Sequence, residues 1–129
     1  MNYLFADTAN LDEIKEAHDM GIIQGVTTNP SIIAKEPQGS FDGLIEKLAD
    51  YCGHENLSLS VEVFAEGYEP MVKQACEIYE KFSPMCPDLY VKIPVGFDEL
   101  RAINTCSNLG VKINATICYS EQQLIHCAS

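Results

Sequence analysis

Apolar residues recur along the chain in two rhythms that take turns from one end to the other. Short stretches near 3–8, 25–29, 57–65, 89–95 and 111–118 alternate with a period of two, which predicts strands. Between them, near 11–20, 41–52, 68–82 and 97–109, the apolar positions follow a helical period, and another helix is predicted to begin at 121. Val72, Ala75, Cys76, Tyr79 and Phe82 form one helical stripe that would lie against a sheet. Local punctuation agrees. Asn10 with Glu13, and Ser120 with Gln123, stand at capping-box spacing, and Gly53 and Gly110 fall where helices are expected to stop. Asn29-Pro30 reads as the start of a turn after the second strand. No linker, low-complexity tract or charge run interrupts the pattern, so a single domain over residues 1–129 is expected.

Alternating strands and helices imply a parallel sheet with helical crossovers. An open doubly wound sheet and a (β/α)8 barrel both satisfy that description, and the strand interiors separate them. A doubly wound sheet lies under helices on both faces, so its strands read as unbroken apolar runs. Here each strand has two unlike faces. Leu89, Val91, Ile93 and Val95 oppose Tyr90, Lys92 and Pro94; Val111, Ile113, Ala115 and Ile117 oppose Lys112, Asn114, Thr116 and Cys118. Leu59, Val61 and Val63 oppose Ser60, Glu62 and Phe64; Val26 and Thr28 oppose Thr27 and Asn29; Asp7 is in phase with Phe5. In a barrel the second face points at the axis, and residues near the strand C-termini line the mouth. The expected fold is therefore α/β, an incomplete TIM-type (β/α)8 barrel with about five parallel βα units.

Composition narrows the function classes. An apolar fraction of 47% with 21% charged residues is that of a soluble globular protein. No apolar run approaches the roughly 20 residues of a membrane span, so no membrane partner is expected. The start Met1-Asn2-Tyr3-Leu4-Phe5-Ala6-Asp7 lacks a signal peptide's basic residues and long apolar stretch, which makes the cytoplasm the expected compartment. A net charge of −11 argues against nucleic acid and means that an anionic substrate needs local positive charge. Cys52, Cys76, Cys86, Cys106, Cys118 and Cys127 contain no C-x-x-C pair and no metal-ligand rhythm with His18, His54 or His126. Reduced structural thiols and no metal are expected.

Lys92 is the informative residue, because it interrupts an apolar strand on the axial face. A lone lysine ordinarily sits on a half-exposed edge strand with its ammonium in water. Here neighbouring axial positions supply Asp7, Glu62, Asn114 and Thr116, which an edge position does not explain. A desolvated amine is a nucleophile near neutral pH, whereas nearby carboxylates favour the ammonium. Asp7 taken alone reads as a turn residue ahead of Asn10. Glu62 is harder to assign to an edge, since the third strand of a barrel is interior. Two carboxylates facing one lysine suit proton transfer at a carbinolamine and at a substrate hydroxyl.

Together the segments Phe5-Ala6-Asp7-Thr8, Gly25 through Ile32 (GVTTNPSI), Val61-Glu62-Val63, Val91-Lys92-Ile93-Pro94 and Asn114-Ala115-Thr116 resemble the transaldolase family, in particular its small members that include fructose 6-phosphate aldolases. The resemblance runs over essentially the whole chain. It implies class I Schiff-base chemistry without metal or cofactor, on sugar phosphates, within the pentose phosphate pathway. Lys92 matches the family's Schiff-base lysine and Asp7 its acid/base aspartate. Glu62 matches a glutamate that works through a water, and Thr116 a threonine that holds that water. Asn29 and Asn114 match asparagines that bind substrate hydroxyls, with Thr27 in the same motif as Asn29. The Glu62 position tends to carry Gln in the aldolases and Glu in transaldolases, so the resemblance implies transfer of a dihydroxyacetone unit. A fructose 6-phosphate aldolase-like lyase is the alternative.

The family barrel has eight strands, and five are legible here. A sixth-strand serine and the phosphate-holding arginines have no counterpart; Arg101, the only arginine, falls on the helix after the Lys92 strand and is expected to face solvent. Such phosphate sites are commonly built from the last loops of a barrel. The sequence thus fits a piece of a longer enzyme, or a catalytically impaired module that acts in binding or assembly. An unrelated open α/β binding domain would instead tolerate Lys92→Met. Unpaired sheet edges lead to the expectation of a homo-oligomer.

Overall fold

The computed structural model describes residues 4–34, 41–94 and 97–116. The helix expected from 121, with Ser120 and Gln123 at its start, lies outside the described residues. The elements are β1 (Phe5–Asp7), α1 (Leu11–Asp19), β2 (Gly25–Thr28), α2 (Pro30–Ala34), α3 (Phe41–His54), β3 (Ser58–Glu62), α4 (Tyr68–Phe82), β4 (Leu89–Pro94), α5 (Phe97–Asn108) and β5 (Ile113–Thr116). All strand pairs are parallel, in the order β1-β2-β3-β4-β5. Among the described residues each strand lies beside its predecessor in the chain, without the reversal of order of a doubly wound sheet. The arrangement is a partial TIM-type (β/α)8 barrel.

The two strand faces differ as the alternation predicts. Val26, Leu59, Val61, Val63, Leu89, Val91 and Ile93 are buried with Ile14, Ile45, Leu48, Ala75 and Phe82 of the helices. The other face is a trough of about 490 Å³ lined in part by Phe5, Thr27, Ser60, Tyr90 and Asn114. Its concavity is visible in a single bond. Asn114 Nδ2 of β5 donates to Ser60 Oγ of β3 at 3.3 Å, passing over β4. Side chains of alternate strands meet in this way in the layers of a barrel interior.

Helix ends explain where the predicted boundaries shift. Asn10 caps α1, its Oδ1 accepting from Glu13 N–H at 3.0 Å. The return arm of the box runs through Thr8, whose hydroxyl donates to Glu13 Oε2 at 2.9 Å and accepts from Asn10 N–H at 3.1 Å. Gly53 does not end α3, which continues to His54. The stop is Asn56, in the left-handed conformation at φ 56°, with Leu57 N–H bonded to Cys52 O at 2.8 Å. Gly110 does end α5: at φ 87° it lets Val111 N–H reach Cys106 O at 3.0 Å. That bond commits Val111 to the helix cap and delays β5 to Ile113. After Glu62 the chain leaves the sheet because Gln74 Oε1 takes the N–H groups of Phe64 and Ala65, at 2.8 and 2.9 Å.

The stripe predicted for α4 is displaced. Its buried residues are Met71, Ala75, Ile78 and Phe82, while Val72, Cys76 and Tyr79 are half-buried at the margin of the core. The apolar sector is wider than one sheet contact because α4 also packs on α5, where Tyr68 Oη and Thr105 Oγ1 share a hydrogen bond of 2.7 Å. No described helix is long and apolar enough to cross a membrane.

Candidate active site

Lys92 sits on β4, an interior strand between β3 and β5, and is only 9% exposed. The water-facing edge position is thereby excluded. Strand register sets Glu62 on one side of it and Asn114 on the other. The backbone supports this placement directly, since Lys92 O accepts from Val63 N–H at 3.1 Å.

Glu62 is the last residue of β3. Burial raises its carboxyl above the usual glutamate range, the nearby Lys92 ammonium pulls it down, and the charge of Asp7 pushes it further up. The three groups therefore share one field across β1, β3 and β4. Among the described residues the ion pairs are His54–Asp50, Lys73–Glu77 and Lys81–Asp42, all on the surface. Lys92 and Glu62 thus interact without a direct ion pair.

Asp7 ends β1 opposite Thr27 in register, and the Thr27 hydroxyl donates to Asp7 Oδ1 at 3.0 Å. One residue of the TTNP segment therefore orients the first carboxylate. Asn29 has a structural duty that the turn prediction does not contain. Its Oδ1 accepts from Ile32 N–H at 2.9 Å and its carbonyl from Ile33 N–H at 3.0 Å, capping α2 with Pro30 in the first turn. Proline suits that position because it has no N–H to leave unpaired. Asn114 is tied to Ser60, a residue that sequence reasoning placed on the axial face but did not select; it is 4% exposed and in phase with Glu62. Thr116 pairs through its backbone with Pro94, and its side chain lies outside the described residues.

Lys112 and Arg101 are engaged elsewhere. Lys112 donates to Pro87 O at 3.1 Å and lies over the Tyr90 ring. Arg101 is exposed on α5, its guanidinium 4.3 Å from the centre of the Tyr68 ring. Among the described residues no three His, Cys, Asp or Glu side chains converge to hold a metal. What the arrangement offers chemically is an amine withdrawn from bulk water, a carboxyl of raised proton affinity next to it, and a second carboxylate oriented by a hydroxyl. Such a set can form and resolve a covalent adduct with a carbonyl compound.

Comparison with known proteins places this geometry in context. The family described as Transaldolase/Fructose-6-phosphate aldolase matches residues 4–129. A protein named probable transaldolase from Carboxydothermus hydrogenoformans is 39% identical over 125 residues, covering 97% of this chain and 55% of that protein. Another from Desulforapulum autotrophicum is 41% identical over 124 residues, covering 96% and 54%. One from Bacteroides fragilis is 38% identical over 124 residues, covering 96% and 55%. The chain spans about half the length of the curated relatives it matches.

Proposed function

Since the chain belongs to the transaldolase/fructose-6-phosphate aldolase family, we propose that its concave face carries the reactive part of a site for transferring a dihydroxyacetone unit between sugar phosphates. The Lys92 amine attacks the C2 carbonyl of a ketose phosphate. Glu62 passes protons through a water, held with Thr116, as the carbinolamine loses its hydroxyl and the Schiff base forms. Asp7 then takes the proton of the C4 hydroxyl while the C3–C4 bond breaks and an aldose phosphate leaves. The three-carbon unit stays on Lys92 until it adds to the carbonyl of a second aldose phosphate, with Asp7 returning the proton. Asn29 and Asn114 hold substrate hydroxyls, and Thr27 acts through Asp7. Glu62, which can both give and take a proton where glutamine cannot, favours transfer over simple aldol cleavage. The same reading carries a single domain over residues 1–129, a cytoplasmic setting, the pentose phosphate pathway, and a homo-oligomer.

One observation carries this proposal: a lysine at 9% exposure in the middle of a parallel sheet, flanked in register by Glu62 and Asn114. Dihydroxyacetone tests it, because the compound has no phosphate and asks nothing of a phosphate clamp. Incubation with dihydroxyacetone and borohydride should add mass at Lys92 alone, and Lys92→Met should abolish the adduct. Labelling of Lys15 or Lys112 in its place, or of no lysine, would refute the Schiff-base role.

A further inference from the structure

Two small hydroxyl side chains stand side by side on the concave face, where Thr27 of β2 and Ser60 of β3 are register partners. Each is hydrogen-bonded to one larger polar residue. The Thr27 hydroxyl donates to Asp7 Oδ1 at 3.0 Å, and the Ser60 hydroxyl accepts from Asn114 Nδ2 at 3.3 Å. Thr27 acts on its nearest neighbour, since Asp7 is its partner across β1 and β2. Ser60 acts at longer range. β4 lies between it and Asn114, and the β4 residue in register with Asn114 is Lys92. Ser60 is almost wholly buried, whereas Asn114 is half-buried and borders the trough. A buried hydroxyl is ordinarily paired, and among the described residues Asn114 supplies the partner.

That bond fixes an amide with two unlike ends. Asparagine carries two donors on nitrogen and an acceptor oxygen, and its terminal torsion is broad, so an untethered amide presents either end. With Nδ2 held by Ser60, Oδ1 is the end left to accept a proton from a bound molecule. We propose that Ser60 is a positioning residue: by holding Asn114 Nδ2 it directs Asn114 Oδ1 at the ketone bound to Lys92, so that the site selects α-hydroxy ketones over ketones without the hydroxyl. The inference rests on the reading of Lys92 as the Schiff-base residue and adds to it a source of donor selectivity. A hydroxyl next to the carbonyl carbon donates to Oδ1. A plain ketone leaves that oxygen without its partner, in a site from which water is partly withdrawn. One neutral hydrogen bond of this kind corresponds to roughly three- to tenfold in selection. Ser60 acts only through Asn114. Its loss frees the amide to turn, and the selectivity falls although the lysine and both carboxylates are intact.

The test is a competition. The 129-residue chain is incubated with equal concentrations of dihydroxyacetone and acetone in the presence of cyanoborohydride, and the two reduced adducts at Lys92 are compared by peptide mass. Partial misfolding lowers both adducts together, so their ratio reports selection and not stability. Ser60→Ala should lower the ratio of dihydroxyacetone to acetone adduct by roughly three- to tenfold relative to wild type. Ser60→Thr, which keeps the hydroxyl, should restore the wild-type ratio. Asn114→Ala should lower the ratio at least as far, and adding Ser60→Ala to it should change nothing more, as expected of two residues that act through one bond. An unmoved ratio in Ser60→Ala with Lys92 still labelled would overturn the inference and leave the Schiff-base reading standing. So would a further fall on adding Ser60→Ala to Asn114→Ala. Absence of both adducts from Lys92 of the wild-type chain would instead overturn the Schiff-base reading, and this inference with it.

Discussion

Glu62 ends β3 with its carboxyl partly withdrawn from water, and there burial outweighs the opposing pull of the Lys92 ammonium. The balance has a sign that can be measured. A carboxyl whose folded pKa lies above its unfolded value binds more protons in the folded state throughout the interval between the two values. Stability therefore falls as pH rises from the ordinary glutamate value of about 4.3 to the raised folded value, and is flat above it. Glu62→Gln should abolish that decline, read by urea unfolding of the two proteins across the interval. Lys92→Met removes the attraction that lowers the Glu62 pKa, so it should carry the decline to higher pH. Identical pH profiles for wild type and Glu62→Gln would mean that the field described here is wrong. Lys92 and Glu62 stood out in the sequence because each breaks an apolar alternation, whereas Asp7 alone reads as a turn residue and was singled out by the family resemblance. The bonds from Thr27 to Asp7 and from Asn114 to Ser60 were not, because periodicity tells which face a side chain takes but not what stands across from it.

Elements were legible wherever a pattern ran for two turns or more, and obscure where a single residue decided the boundary. Pro30–Ala34 is a helix of one turn, too short for periodicity, although Asn29 followed by Pro30 carries the cap that starts it. Gly53 reads locally as a stop, since glycine inside a helix costs about 1 kcal/mol relative to alanine. Its place in the middle of the last turn of α3 has a tertiary cause: a Cβ there would collide with the Met85 carbonyl. Gly53→Ala sets these two effects against each other. Propensity alone predicts a gain of about 1 kcal/mol, whereas displacing the segment before β4 costs about 1–3 kcal/mol as overpacking does. Because the obstacle is backbone and cannot rotate away, net destabilisation is expected, seen as a lower urea midpoint. A more stable variant would show that the segment at Met85 yields freely.

At the scale of the whole molecule, the polar axial face was enough to distinguish barrel from doubly wound sheet, and the strand order bears that out. The curvature was hidden, because it depends on contacts such as Ser60–Asn114 that skip a strand. Among the described residues β1 and β5 are each paired on one side only, and Phe5 stands 50% exposed on the concave face. An open edge and an open apolar residue both favour association. The 129-residue chain is expected to sediment as an oligomer or aggregate and to show little turnover in a coupled sugar-phosphate assay. A clean monomer with normal turnover would contradict that. Strand order also bears on how the sheet is made at the ribosome. Among the described residues each strand after β1 hydrogen-bonds to the one synthesised just before it, so the growing edge is the newest edge. Among the described strands none is inserted between two earlier ones, and each addition closes only one crossover, which keeps the entropy lost per step small. The sheet can therefore lengthen in the direction of translation, and the face that bears Lys92 takes shape strand by strand as the chain emerges.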